Sequence, residues 1–135
     1  ALVHSDYRLD NMLFATSEGG PPITIVDWQT VTCGSPMSDL SYFIGAGLLV
    51  EERRAHEEEL GKLYHETRLA SGVPDFPWKK CWDQYRANSF AGFMMAVLAS
   101  MLVERTARGD EMFLTMARRH GQQILDLDAE EFLMP

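Results

Sequence analysis

The densest group of reactive side chains lies in HSDYRLDN, residues 4–11, and a further carboxylate follows in IVDW at Asp27. Asp6 stands two residues after His4, and Asn11 five residues after Asp6. Phosphoryl transfer to a hydroxyl requires a carboxylate near the acceptor oxygen and hard oxygen ligands for the magnesium ions that bridge the nucleotide phosphates. Asp6 has the chemistry for the first task, and Asn11 with Asp27 for the second. Taken singly, Asp6 or Asp27 also reads as a turn or capping aspartate, and His4 as a hydrogen-bonded loop histidine. The ordered set of three is what points to metal and phosphate.

Two short strands and a turn must position this set. NMLFAT and ITIVDW are rich in strand-compatible residues, and EGGPP between them supplies turn chemistry, which predicts a hairpin over 12–16 and 23–28. Asp27 then falls at the end of an apolar strand. In Gly34-Ser35-Pro36, Ser35 can cap a helix and Pro36 suits its first position. From there the chain reads as about four helices. The first covers residues 36–49. A charged second, over 51–71, has a thin stripe of Leu60, Leu63, Tyr64 and Thr67 to bury, and Gly72, Pro74 and Pro77 end it. The third spans 78–106, with Phe90, Phe93, Met94, Val97, Leu98, Met101 and Leu102 at helical spacing as its core face. The last restarts at Gly109-Asp110 and carries Phe113, Met116, His120, Ile124 and Leu127 on one face. The eight methionines read as fillers of irregular core space.

The 135 residues fit one domain, divided into a loop-and-hairpin part (1–34) and a helical part (35–135). A net charge of -8 repels phosphate backbones and anionic lipid, so nucleic acid and membrane are excluded as partners, and a cationic or neutral ligand is easier to accommodate. Cys33 and Cys81 lie far apart outside any CxxC pattern, which reads as reduced thiols in the cytoplasm. No signal peptide is evident. The uncharged run over 90–103 is shorter than the roughly 18 residues of a membrane span and reads as a core helix. ALVHSD places chemistry at residue 4, which leads us to expect a piece of a longer protein.

HSDYRLDNMLF followed by ITIVDWQTVTCGSPMSDLSYF resembles the phosphotransferases that include aminoglycoside and choline kinases and their ecdysteroid-kinase-like relatives. Those proteins show H-G-D-x-x-x-x-N, then I-D-W, then G-x-P-x-x-D-L, the last matched here by Gly34, Pro36, Asp39 and Leu40. The resemblance covers residues 2–43. It implies an α+β, mostly helical fold, the C-terminal lobe of a protein-kinase-like domain, with catalytic loop and hairpin preceding the helices. It implies ATP-dependent phosphorylation of a hydroxyl on a small molecule, with ATP as co-substrate and Mg2+ as cofactor. Asp6 would be the catalytic base or acceptor-orienting carboxylate, and Arg8 would place a cation near the transferred phosphate. Asn11 and Asp27 would hold the metal and, through it, the nucleotide. Asp39 would brace the catalytic loop through backbone hydrogen bonds, and His4 would be structural. Ser5 departs from the family's usual Gly. The N-lobe's phosphate-covering loop, lysine and glutamate are absent from these residues, so the chain alone is expected to be inactive. It is also expected to self-associate through the face an N-lobe would cover.

Other features read more plainly. Asp10 is a solvated loop residue. Glu57, Glu58 and Glu59 beside His56 and His65 lack HExxH spacing and read as a solvated charged face. Trp78, Trp82 and Tyr85 share a helical face and could pack the core or line an acceptor pocket. Two other functions stay open: a non-catalytic kinase-like binding module, and a metal-dependent phosphate hydrolase using Asp6, Asn11 and Asp27.

Overall fold

The computed structural model describes residues 1–73 and 76–133. Strands β1 (Leu2–Val3), β2 (Met12–Thr16), β3 (Gly19–Ile25) and β4 (Thr32–Cys33) form two antiparallel ribbons. In the first, β1 pairs with β4, with Leu2 opposite Cys33. In the second, β2 pairs with β3, with Met12 opposite Ile25 and Phe14 opposite Ile23. The hairpin is as expected in its first strand but not in its turn or its end, since β3 stops at Ile25 and residues 26–28 lie beyond it. The reversal occurs at Ser17 and Glu18, and GGPP belongs to β3. Gly19 and Gly20 take φ of 109° and 113°, which only glycine tolerates easily. Pro21 and Pro22 are accepted because a two-stranded ribbon has only edge strands.

Among the described residues five α-helices follow: α1 (Met37–Gly47), α2 (Val50–Ala70), α3 (Trp78–Ala87), α4 (Ser89–Leu102) and α5 (Ala107–Asp126). Ser35 serves the start of α1, its Oγ accepting from the Met37 amide at 3.3 Å. Thr106 caps α5, accepting from the Gly109 amide at 3.0 Å. Of the residues expected to end α2, Pro74 lies outside the described residues. The helix expected over 78–106 is two helices, because Asn88 and Ser89 turn their side chains onto the carbonyls of the preceding turn. Asn88 Nδ2 donates to Gln84 O at 2.7 Å and Ser89 Oγ to Arg86 O at 2.7 Å. Among the described residues no helix is long and apolar enough to cross a membrane.

The core gathers Met37 and Ile44 of α1, Cys81 and Tyr85 of α3, Ile124 of α5, and Leu127 and Ala129 beyond it. Met116, His120, Ile124 and Leu127 are buried, as the spacing of the last helix predicts. Trp78, Trp82 and Tyr85 stack in series, with ring centroids 5.4 and 4.9 Å apart, over Gly61 of α2. They serve packing between α2 and α3.

Two expectations about burial fail. On α2 the buried residues are Arg53, Glu57 and Gly61, while Leu63 is 60% exposed and Thr67 is also exposed. The Arg53 guanidinium donates to Glu57 Oε1 at 2.6 Å and to Asp126. Glu57 Oε2 in turn accepts from the Tyr85 hydroxyl at 3.2 Å. A buried carboxylate paired in this way is no solvated face. On α4 the buried residues are Ser89, Gly92 and Ala96; Phe90 is partly buried against the core, and the other large side chains of the expected face, from Phe93 to Leu102, are exposed. Small residues are required there because the His120 ring fills the space: a Cβ on Gly92 would lie 2.1 Å from His120 Cε1. Three methionines, Met12, Met37 and Met116, fill the core, but Met94, Met95 and Met101 belong to that exposed face.

Candidate active site

The loop from β1 to β2 carries the sequence-predicted residues, and Asp39 of α1 holds its shape. The His4 amide donates to Asp39 Oδ2 at 2.6 Å and the Ser5 amide to Oδ1 at 2.9 Å. Buried amides gain a charged acceptor in this way, which is why an aspartate is needed at that point. Ser5 sits at φ 68°, the left-handed region that glycine enters without cost. The two bonds to Asp39 offset the cost of a serine there. His4 is buried and structural. Its Nε2 lies 2.8 Å from Val26 O, its carbonyl accepts from Thr30 Oγ1 at 2.8 Å, and its ring lies 4.8 Å from that of Trp28.

Three groups converge on the Asp6 carboxylate. Asn11 Nδ2 donates to Oδ2 at 2.9 Å, Arg8 Nε lies 3.2 Å away, and the Tyr42 hydroxyl donates to Oδ1 at 3.1 Å. Asn11 Nδ2 also reaches the Asp6 carbonyl at 2.8 Å, closing the loop on itself. Tyr42 is buried on α1, and that burial, with the Asp6 charge, pushes its phenol well above the ordinary tyrosine range. It therefore remains a donor. No spacing in the loop motif points to Tyr42, which lies 36 residues beyond Asp6. Its only sequence signal is its place one turn after Asp39.

The hairpin brings the other two residues to the same end of the molecule. Asn11 directly precedes β2, and its carbonyl accepts from the Val26 amide at 3.0 Å. Asp27 follows at φ 64°, ψ 53°, a left-handed residue that ends the strand and leaves its carboxylate exposed. Because the Asn11 amide nitrogen is engaged with Asp6, its side-chain oxygen is the atom left for a ligand. One carboxylate and one amide oxygen are hard donors of the kind magnesium shares with phosphates and water, so the donor set fits that ion.

Beside the loop lies a cavity of about 330 Å³ between it, the end of α1 and the first half of α5. Arg8, Leu9 and Asp10 form one wall, and Arg108, Met112 and Arg119 another. Asp10 is not isolated in solvent; Arg8 Nη1 lies 3.3 Å from its Oδ2. The two α5 arginines carry no motif and are joined to the site by the fold alone. Glu57, Glu58 and His56 lie elsewhere and are engaged with Arg53, Lys62 and Glu59 respectively.

Several curated proteins are similar to the chain. It is 40% identical to "Acyl-CoA dehydrogenase family member 11" of Gallus gallus over 94% of the chain, and 32% identical to that of Pongo abelii over 81%. It is 29% identical to "Probable acyl-CoA dehydrogenase IBR3" of Arabidopsis thaliana over 93%. The chain spans only 15–18% of the length of these relatives. No solved structure matches it. Residues 1–71, which hold the β1–β2 loop, the hairpin, Asp39 and Tyr42, match the ecdysteroid kinase-like family. On that match, and on a fold that sets the loop and hairpin of a kinase C-lobe before a bundle of helices, the chain belongs to the ecdysteroid kinase-like family.

Proposed function

We propose that the site transfers the γ-phosphoryl group of ATP to a hydroxyl of a small molecule. The observation that carries this reading is the Asp6 carboxylate, fixed by Asn11, Tyr42 and Arg8, the last of which lines the neighbouring cavity. Asp6 accepts the hydrogen bond of the acceptor hydroxyl and takes its proton as the oxygen–phosphorus bond forms and the bond to ADP breaks. Arg8, whose Nε lies 3.2 Å from the Asp6 carboxylate, sets positive charge near the phosphoryl oxygens. Asp39 acts at one remove, by keeping the loop in shape. Magnesium, held by Asn11 and Asp27, would shield the charge of the nucleotide phosphates. Because the chain's curated relatives are named acyl-CoA dehydrogenases, hydroxylated acyl-CoA compounds head the panel of acceptors to test. Two unpaired thiols, exposed Cys33 and buried Cys81, accord with a reducing cytoplasmic setting.

The test is ADP release by a full-length polypeptide carrying this chain, with nucleotide affinity measured alongside. Asp6→Asn should lower turnover by roughly two to four powers of ten while nucleotide affinity stays near its starting value. Asp27→Asn should weaken metal-nucleotide binding as well, because a charged ligand is lost. On the 135-residue chain, manganese should broaden resonances near Asn11 and Asp27 first, and Asp27→Ala should abolish the effect. Turnover indifferent to Asp6→Asn would sink the reading.

A further inference from the structure

The cavity beside the catalytic loop has a charge that the molecule as a whole does not suggest. The chain carries 20 acidic residues against 12 basic ones, yet three of its arginines line this one space. Arg8 comes from the loop, and Arg108 and Arg119 from α5, three turns apart on one side of that helix. Arg8 is committed to Asp6 and Asp10. The two others are not neutralised in the same way. Arg119 Nη1 donates to the Ala46 carbonyl at 2.5 Å, a neutral acceptor at the end of α1, and keeps its charge. Arg108 forms no ion pair among the described residues, and it stands in the first turn of α5, where the N-terminal end of the helix adds positive potential. Against the three guanidiniums the lining has two carboxylates, Asp10, already paired with Arg8, and Glu111. Apart from Thr115 the rest is apolar, chiefly Leu9, Met112 and Met116.

We infer that this cavity receives the acceptor and that the acceptor carries an anionic group, a carboxylate or a phosphate, joined to its hydroxyl by a short aliphatic segment. The inference rests on the phosphotransferase reading above and adds the substrate's charge. A guanidinium presents paired N–H donors that match the two oxygens of a carboxylate or phosphate, which a lone ammonium cannot do. Leu9, Met112 and Met116 suit the aliphatic segment, while Asp6, joined to the cavity wall through Arg8, meets the hydroxyl. The same wall selects against cationic acceptors, which would meet three like charges. The excess of acid over the whole molecule favours cations in general, but specificity is set by the charges that line the site.

Binding can be read without turnover, by amide chemical shifts of the 135-residue chain. The probes are 3-hydroxybutyrate, glycerol 3-phosphate, inorganic phosphate, 1,3-butanediol and choline. The two hydroxylated anions should shift resonances of Arg108, Met112 and Arg119, and the tighter of them identifies the anionic group. Butanediol and choline at equal concentration should leave those resonances in place. Arg108→Gln should weaken the anions about ten-fold with no change in melting temperature, and Arg119→Gln should weaken them as much with a small fall in melting temperature from the lost bond to the Ala46 carbonyl. Equal binding of choline or butanediol would overturn the inference, as would anion shifts confined to other surfaces. Inorganic phosphate binding as tightly as glycerol 3-phosphate would mean a bare anion site and would overturn the acceptor assignment. The two readings fail separately. Anions that bind here but are never phosphorylated by a full-length polypeptide carrying the chain count against the phosphotransferase. Phosphorylation of neutral acceptors with this cavity silent counts against the charge assigned here.

Discussion

Helices α2 and α4 make a pair of opposites. The sequence of α2 is the most charged in the chain, and it puts Arg53 and Glu57 into the interior while Leu63 faces water. The sequence of α4 has no charged residue, and it buries Ser89, Gly92 and Ala96 while Leu98, Met101 and Leu102 are 53, 76 and 84% exposed. Hydrophobicity alone would assign both faces the other way round. What decides is the surface each helix meets. Opposite α2 stand Asp126 of α5 and the Tyr85 hydroxyl, which can satisfy a guanidinium and a carboxylate out of water. Opposite α4 stands the His120 ring, which leaves room only for residues with little or no side chain. Gly45 of α1 yields to the same ring from the other side, since a Cβ there would lie 2.5 Å from His120 Nδ1.

These two arrangements are parts of one polar line through the core. From Arg53 it passes to Glu57, to the Tyr85 hydroxyl and to Gln123, whose Nε2 donates to Tyr85 at 3.0 Å and whose Oε1 lies 3.2 Å from His120 Nδ1. The His120 ring then lies 5.5 Å from that of Tyr42, which holds Asp6. The helices thus hold the Asp6 carboxylate through a buried tyrosine as well as through the loop itself.

The sharpest way to break the comparison is at Arg53. Arg53→Met leaves Glu57 buried without its cation and should cost about 3–5 kcal/mol, a fall of roughly 10 °C or more in Tm. Burial already pushes the Glu57 carboxyl up against the opposing pull of Arg53, so the lone acid would meet that cost directly. Adding Glu57→Leu should recover most of the loss, because an apolar pair of similar volume needs no partner. Thermal melts of the single and double variants decide the matter. A double variant no better than the single would mean that the ion pair is itself stabilising.

A somewhat smaller effect is expected at His120, on the side of α4 that is buried. Burial holds its imidazole down to about 4 from the ordinary 6.5, and its Nε2 meets no polar partner among the described residues. Because the folded pKa is the lower one, the unfolded chain takes up the proton first as pH falls. The stability at stake is complete above about pH 6.5, is lost progressively toward about pH 4, and amounts to about 3 kcal/mol. Urea midpoints at pH 7.5 and 4.5 should differ less for His120→Gln than for the unaltered protein. An equal pH dependence in both would remove His120 from the account.

The build of the loop was legible because it constrains residue types at fixed separations. Asp6 and Asn11, set five residues apart, meet in a hydrogen bond, and the hairpin follows from strand-forming residues about a turn. The place of Asp39 came from the family resemblance, and its carboxylate does serve two backbone amides. The burial of α2 and α4 was not legible, because a helix's own periodicity shows which residues share a face and not what that face will meet. Arg53 finds Asp126 at a separation of 73 residues, and no local pattern announces it. Arg108 and Arg119 escaped for the same reason. They are ordinary helix-surface arginines until α5 is laid beside the loop that carries Arg8.

The smallest effect on folding is expected on the outward face of α4, and it separates stability from association. Leu98→Gln with Leu102→Gln should change the unfolding free energy by no more than about 0.5 kcal/mol, since both side chains are more than half exposed. The same pair should alter association strongly. From Phe93 to Val103 the exposed apolar surface is on the order of 800 Å² per copy, about what each partner buries in a standard interface and more than a typical monomer leaves open. In a molecule of net charge -8, this helix lets two copies meet without like charges between them, and an antiparallel pairing opposes their dipoles favourably. A second apolar set, Leu2, Leu13, Phe14 and Ile23 on the strands, occupies the face from which self-association was first expected. Light scattering at high micromolar concentration should show a dimer that Leu98→Gln with Leu102→Gln dissolves and that Leu13→Gln with Phe14→Gln leaves intact. The reverse pattern would return the interface to the strands, and a clean monomer throughout would mean that the α4 face is tolerated in water.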